Sequence, residues 1–164
     1  MRIYLPTVIG GTSTLACAPE EREAAIAEQM HTHPDQGRAT MSCHPILEEV
    51  AREMAADMAT RNYFDHINPE GLGPNELVRM AGYPLDSGYD TALAGNNIQS
   101  IGGGVGSPDT IWNAWMGSAI HKTHLLGQSD FYATQTDYGV GYYYAPESEY
   151  KHYWVVITAR QDGQ

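Results

Sequence analysis

Apolar side chains return every four residues through HPILEEVAREMAADMATRNYF, residues 44–64, at Ile46, Val50, Met54 and Met58, with Leu47, Ala51 and Ala55 beside them. That spacing predicts a helix with one buried stripe. Glu48, Glu49, Arg52, Glu53 and Asp57 fill the other side. Pro45 suits the first turn, where its missing N–H costs nothing, and Asn62 with the turn residues after Phe64 ends the helix. GPNELVRMAGY, residues 73–83, predicts a second, short helix stopped at Gly82, which reaches the left-handed region cheaply. SPDTIWNAWMGSAIHKTHLL, residues 107–126, predicts a third, with Ser107 as N-cap, Pro108 at the first helical position, and Ile111, Trp112, Trp115 and Met116 on the buried side.

The period then changes. YGVGYYYA and YWVVITA are rich in β-branched and aromatic residues and flank the polar run PESEYKH. They predict an antiparallel hairpin. NNIQSIGGGVG, residues 96–106, predicts a short strand running into a glycine-rich loop; it lacks the Lys-Ser/Thr pair of a phosphate-binding loop. Helices followed by strands give an α+β class, with helices laid on a small antiparallel sheet.

The first 40 residues read as a leader and linker, and residues 41–164 as the domain. EEREAAIAEQM, residues 20–30, favours helix but has a thin apolar face, and HTHPDQGRAT reads as a linker. MRIYLPTVIGGTSTLACAPEE has the order of an export signal: one Arg, a modestly apolar stretch, small residues, then acids. Cys17 and Cys43 pair in an oxidising compartment, or Cys17 is lipidated or removed and Cys43 is left a lone thiol. Twenty acidic residues against nine basic ones give a net charge of −11. Such a surface repels phosphate backbones and anionic lipids, so nucleic acid is a poor partner. No run approaches the ~18 apolar residues of a membrane span.

Seven histidines are present. His31, His33 and His44 fall in or beside the polar linker, and His152 beside the hairpin turn, where solvent exposure is expected. His66 follows the first helix in YFDHINPEG. His121 and His124 stand three apart on the third helix, where they can share a side. The ordered set YFDHINPEG, AGY, NNI, WMGSAIHKTHLLG, YGVGY and YWVVITA resembles the bacterial branch of the CAP superfamily, which groups cysteine-rich secretory proteins, antigen 5 and plant pathogenesis-related protein 1. The resemblance covers residues 44–160.

The resemblance implies a three-layer α-β-α sandwich and a cleft holding two histidines and, in many members, two glutamates. His66 matches the first histidine and His121 the second. Asn96, in GNNI, stands at one glutamate position, and Ser118, ending WMGS, at the other. Ile120 replaces a frequent Gly, and Lys122 stands where Arg is common. The implied cleft comprises His66, His121, Asn96, Asn97, Tyr63 and Ser118. Catalytic zinc normally takes three protein ligands and a water. Loss of both carboxylates removes charge that would offset a metal and leaves only the imidazoles near neutral pKa for acid–base work. Asp65 is expected to be exposed or capping rather than to orient a histidine. Members are mostly secreted and many have no established activity. The expectation is therefore an extracellular or cell-envelope module binding a small molecule, glycan, lipid or peptide without turnover and without a cofactor. The alternative is a zinc-dependent hydrolase or peptidase in which His66 and His121 ligate the metal.

Overall fold

The computed structural model describes residues 16–164. Most of the export-signal stretch, residues 1–15, lies outside the described residues. Helix α1 spans Glu21–Thr32; a two-residue strand β1, Ser42–Cys43, precedes α2, Pro45–Arg61, and α3, Pro74–Met80. Strand β2 is Gln99–Gly103, followed by α4 (Pro108–Met116), α5 (Ala119–Leu125) and α6 (Asp130–Ala133), then β3 (Asp137–Tyr144) and β4 (His152–Ala159). The sheet runs β1-β3-β4-β2. β3 and β4 form the predicted antiparallel hairpin and β2 adds antiparallel to β4, but β1 pairs parallel to β3, so the sheet is mixed.

Alternation along β4 assigns the layers. Tyr153, Val155 and Ile157 join a core with α2 and α3, whereas Trp154 and Val156 join a second core with α1, α4 and α5. This is the α-β-α sandwich. α2 lies almost on the backbone of β3: a Cβ at Gly139 would stand 2.2 Å from the Leu47 carbonyl carbon, and one at Gly141 2.2 Å from that of Ala51. The YGVGY pattern thus serves close helix–strand approach.

Three expectations need correction. First, α1 is part of the packed unit: Ile26 and Met30 are fully buried against α4 and the sheet, so packing begins well before residue 41. Its thin apolar face suffices because Glu23 is also buried, bonded to Arg52 and to the Tyr142 N–H. Second, the third helix is two. The break falls at Gly117–Ser118, where Ser118 is extended, so His121 sits in the first turn of α5. Third, two histidines are engaged. The imidazole of His44 caps α2 by accepting the Ile46 N–H and meets the Tyr83 ring edge-on, and His152 Nδ1 lies 2.7 Å from the Tyr142 hydroxyl. Cys17 and Cys43 are disulfide-bonded, tying the segment before α1 to β1. No described helix is long and apolar enough to cross a membrane.

Candidate functional site

Edge strand β2 carries the site. Gln99 and Ser100 point to opposite faces of the sheet, and each engages a histidine. On the α2 side, Asn62 closes α2 in the left-handed conformation and the chain turns through DHINPEG. Asp65 Oδ1 accepts the Ile67 N–H, Asn68 Oδ1 accepts the N–H groups of Glu70 and Leu72, and Gly71 takes a φ of +83°. This turn holds His66, whose Nδ1 is 2.7 Å from Gln99 Oε1. The Gln99 amide nitrogen points at Met54 Sδ, so its oxygen is the atom facing His66. Nδ1 therefore donates, and the neutral ring carries its lone pair on Nε2.

On the other face, α5 brings His121 and His124. His121 Nδ1 lies 2.8 Å from Ser118 Oγ, which makes no capping bond. Burial, and then the nearby His66, push the His121 pKa below the ordinary histidine value. A hollow of about 200 Å³ joins the two sides. His66, His121, Asn96 and Asn97 line it, with Ile98, Gln99, Ser100, Ile120, His124 and Tyr132 completing the wall. Tyr63 does not line it. Its hydroxyl donates to Asp57 Oδ2 at 2.6 Å and its ring packs beside the α2 core under the Arg61 guanidinium. Ser118 also lies outside the wall and acts through His121. Asp65 is exposed and caps its own turn. The missed wall residues had one visible signal: the polar pair Gln99–Ser100 between Ile98 and Ile101, where a buried strand would carry apolar side chains.

The profile of the Cysteine-rich secretory protein family, CAP, matches residues 22–158. This chain belongs to the CAP family. It is 29% identical over 141 residues to YkwD of Bacillus subtilis (strain 168), covering 84% of this chain and 49% of that protein, so it spans about half the length of that relative. Its fold is shared with an outer surface protein of Borrelia burgdorferi (16% identity, TM-score 0.60, 85% of this chain and 91% of that one). It is shared also with an extracellular SCP-domain protein of Bacillus anthracis (18% identity, TM-score 0.63, 85% and 40%).

In this CAP domain the donor set falls short of a zinc centre. His66 and His121 supply two neutral nitrogens where three protein ligands are normal. Asn96 Oδ1 is already occupied, accepting the N–H groups of Ile98 and Gln99. Among the described residues, the only group of three or more His, Cys, Asp and Glu with ligand atoms mutually within 4.8 Å is Cys17, Cys43 and Glu48, whose sulfurs are spent in the disulfide.

His124 is a packing histidine of the CAP core. It is 3% exposed, with Nδ1 2.7 Å from Ser100 Oγ and Nε2 2.7 Å from Thr158 Oγ1. Burial, with the Arg38 guanidinium behind it, lowers its pKa to about 3. An unfolded histidine protonates near 6.5. Between those values the unfolded chain binds the extra proton, so stability falls as pH drops from about 6.5 towards 3, by up to about 1.4 kcal/mol per pH unit. Urea unfolding at pH 7 and pH 5 should show this loss, and His124→Asn should flatten that part of the profile.

Proposed function

We propose that this CAP domain is an exported binding module whose hollow takes a small molecule, or the terminal group of a glycan, lipid or peptide, without turning it over. The observation that carries this is the state of the two imidazoles: each is tied at Nδ1 to a neutral side chain, and no carboxylate lines the hollow between them. A general base needs a partner to stabilise the charge it acquires, and Gln99 and Ser118 supply dipoles only. The wall instead offers oriented hydrogen-bonding groups beside an aromatic and an aliphatic side chain, the makeup of a recognition pocket. Export is supported by the disulfide, which persists in oxidising compartments, and by the extracellular and outer-surface relatives.

The test is ligand titration of His66→Ala and His121→Ala against the parent protein. A screen of saccharides, acyl compounds and peptides should yield a ligand whose affinity falls at least ten-fold, about 1.4 kcal/mol, in each variant while Tm holds. Stoichiometric zinc in protein purified without a His-tag, lost in His66→Ala and accompanied by hydrolytic turnover, would instead establish the hydrolase reading.

A further inference from the structure

Both asparagines of the hollow are held by bonds that fix which end of each amide is already engaged. Asn96 Oδ1 accepts the Ile98 and Gln99 N–H groups at 3.2 and 3.1 Å. Asn97 Oδ1 accepts the Asp90 N–H at 3.0 Å and the Asn75 amide at 2.8 Å. A backbone N–H can only donate, so in both residues the bonded atom is the oxygen. The NH₂ groups remain, and neither bonds to another group among the described residues. The Tyr132 hydroxyl is likewise without a partner among the described residues. Asn96, Asn97 and Tyr132, the residues that carry these unpaired donors, all line the hollow, with the two imidazoles beside them.

Charge points the same way. The chain carries −11, yet no Asp or Glu lines the hollow. The formal charge behind its floor is positive: Arg38 is 5% exposed, its Nη2 lies 2.7 Å from the His124 carbonyl and 3.4 Å from Thr158 Oγ1, and it forms no ion pair among the described residues. A cavity with donors on its wall and an unneutralised buried cation behind it stabilises an anion. Ile120, 79% exposed at the rim, offers apolar surface to whatever extends outward.

Resting on the binding-module reading, we infer that the hollow selects a small carboxylate, with the carboxyl group against the Asn96 and Asn97 amides and a short apolar remainder along Ile120 and Tyr132. The volume of about 200 Å³ suits a short-chain acid rather than a polymer. No metal is part of this recognition.

The experiment is an NMR titration of the full chain with butyrate, its neutral isostere butyramide, inorganic phosphate and a neutral disaccharide. Butyrate should shift the Asn96 and Asn97 side-chain NH₂ signals and bind at least ten-fold more tightly than butyramide. Asn96→Asp keeps an oxygen for the two backbone N–H groups, so it should fold, yet it should weaken butyrate at least ten-fold. Equal binding of butyrate and butyramide, or an unaffected Asn96→Asp variant, overturns the inference. Phosphate binding in place of butyrate overturns the carboxylate assignment. Disaccharide or butyramide binding alone overturns it while leaving the binding-module reading intact. Silence at His66, His121 and both asparagines with every probe counts against both.

Discussion

Replacing Gly141 with alanine is expected to cost the domain about 3 kcal/mol or more and to remove most soluble protein. Overpacking typically costs about 1–3 kcal/mol where side chains can give way. Here the new methyl would stand 2.2 Å from the Ala51 carbonyl carbon and 2.3 Å from the Arg52 nitrogen, both backbone atoms of α2. A helix backbone cannot rotate aside, so α2 would have to lift from β3, opening the core around Leu47, Val50 and Met54. Gly139→Ala should behave alike, because its methyl would meet the backbone of Leu47 and Glu48. Gly117→Ala is the control. Its nearest contacts are 3.5 Å and its φ is −76°, so it should be nearly neutral. Urea denaturation of the three variants checks this, and a Gly141→Ala variant within about 1 kcal/mol of the parent would refute the close-approach account.

Removing the disulfide should have the next largest effect. Cys17 and Cys43 are 26 residues apart and enclose all of α1. The chain-entropy relation gives roughly 3.5 kcal/mol for a loop of that size. The bond also anchors local contacts that would loosen with it: the Ala18 N–H donates to Glu48 Oε2 at 2.9 Å, and Arg52 Nη2 to the Ala18 carbonyl at 2.6 Å. A Cys17→Ala/Cys43→Ala protein, or the parent under reductant, should melt about 10 °C lower, at the ~3 °C per kcal/mol usual for this size. Unchanged melting would mean that α1 packing alone holds the segment.

How much was legible in the sequence differs by element. α2 was plain because its stripe runs four turns and every apolar position on it is used. The β3–β4 hairpin was plain because aromatic and β-branched residues crowd both strands. The helical composition of α1 was legible but its packing was not, because one of its buried residues is Glu23, an acid whose burial depends on Arg52 from another helix; a polar residue satisfied across the fold looks exposed in a linear pattern. β1 is two residues long and parallel, too short for any periodicity. The Gly117–Ser118 break was hidden because both flanking segments favour helix, and only packing decides that the chain turns there.

The site shows the same division. The family resemblance singles out His66, His121 and Asn96, and the structure lines one hollow with them and with Asn97. Tyr63 was misplaced because adjacency to His66 in sequence says nothing of direction: its ring turns back to Asp57 and Arg61 on α2. Gln99, which fixes the tautomer of His66, left only the signal of a polar pair inside a short strand, and a strand glutamine carries no motif that would name its partner. His124 stands three residues from His121, yet both its ring nitrogens are taken by Ser100 and Thr158 and it is buried, while His121 is only half-buried.

The central claim is that two imidazoles from separate layers of the fold share one hollow. NMR titration of the His121 ring in the parent and in His66→Gln tests it most directly. Burial first, and the nearby His66 second, hold the His121 pKa below the ordinary histidine value. Removing the His66 imidazole should therefore raise that pKa part of the way back, with the fold otherwise unchanged. A His121 titration curve identical in the two proteins would place the rings too far apart to interact and would contradict the shared site.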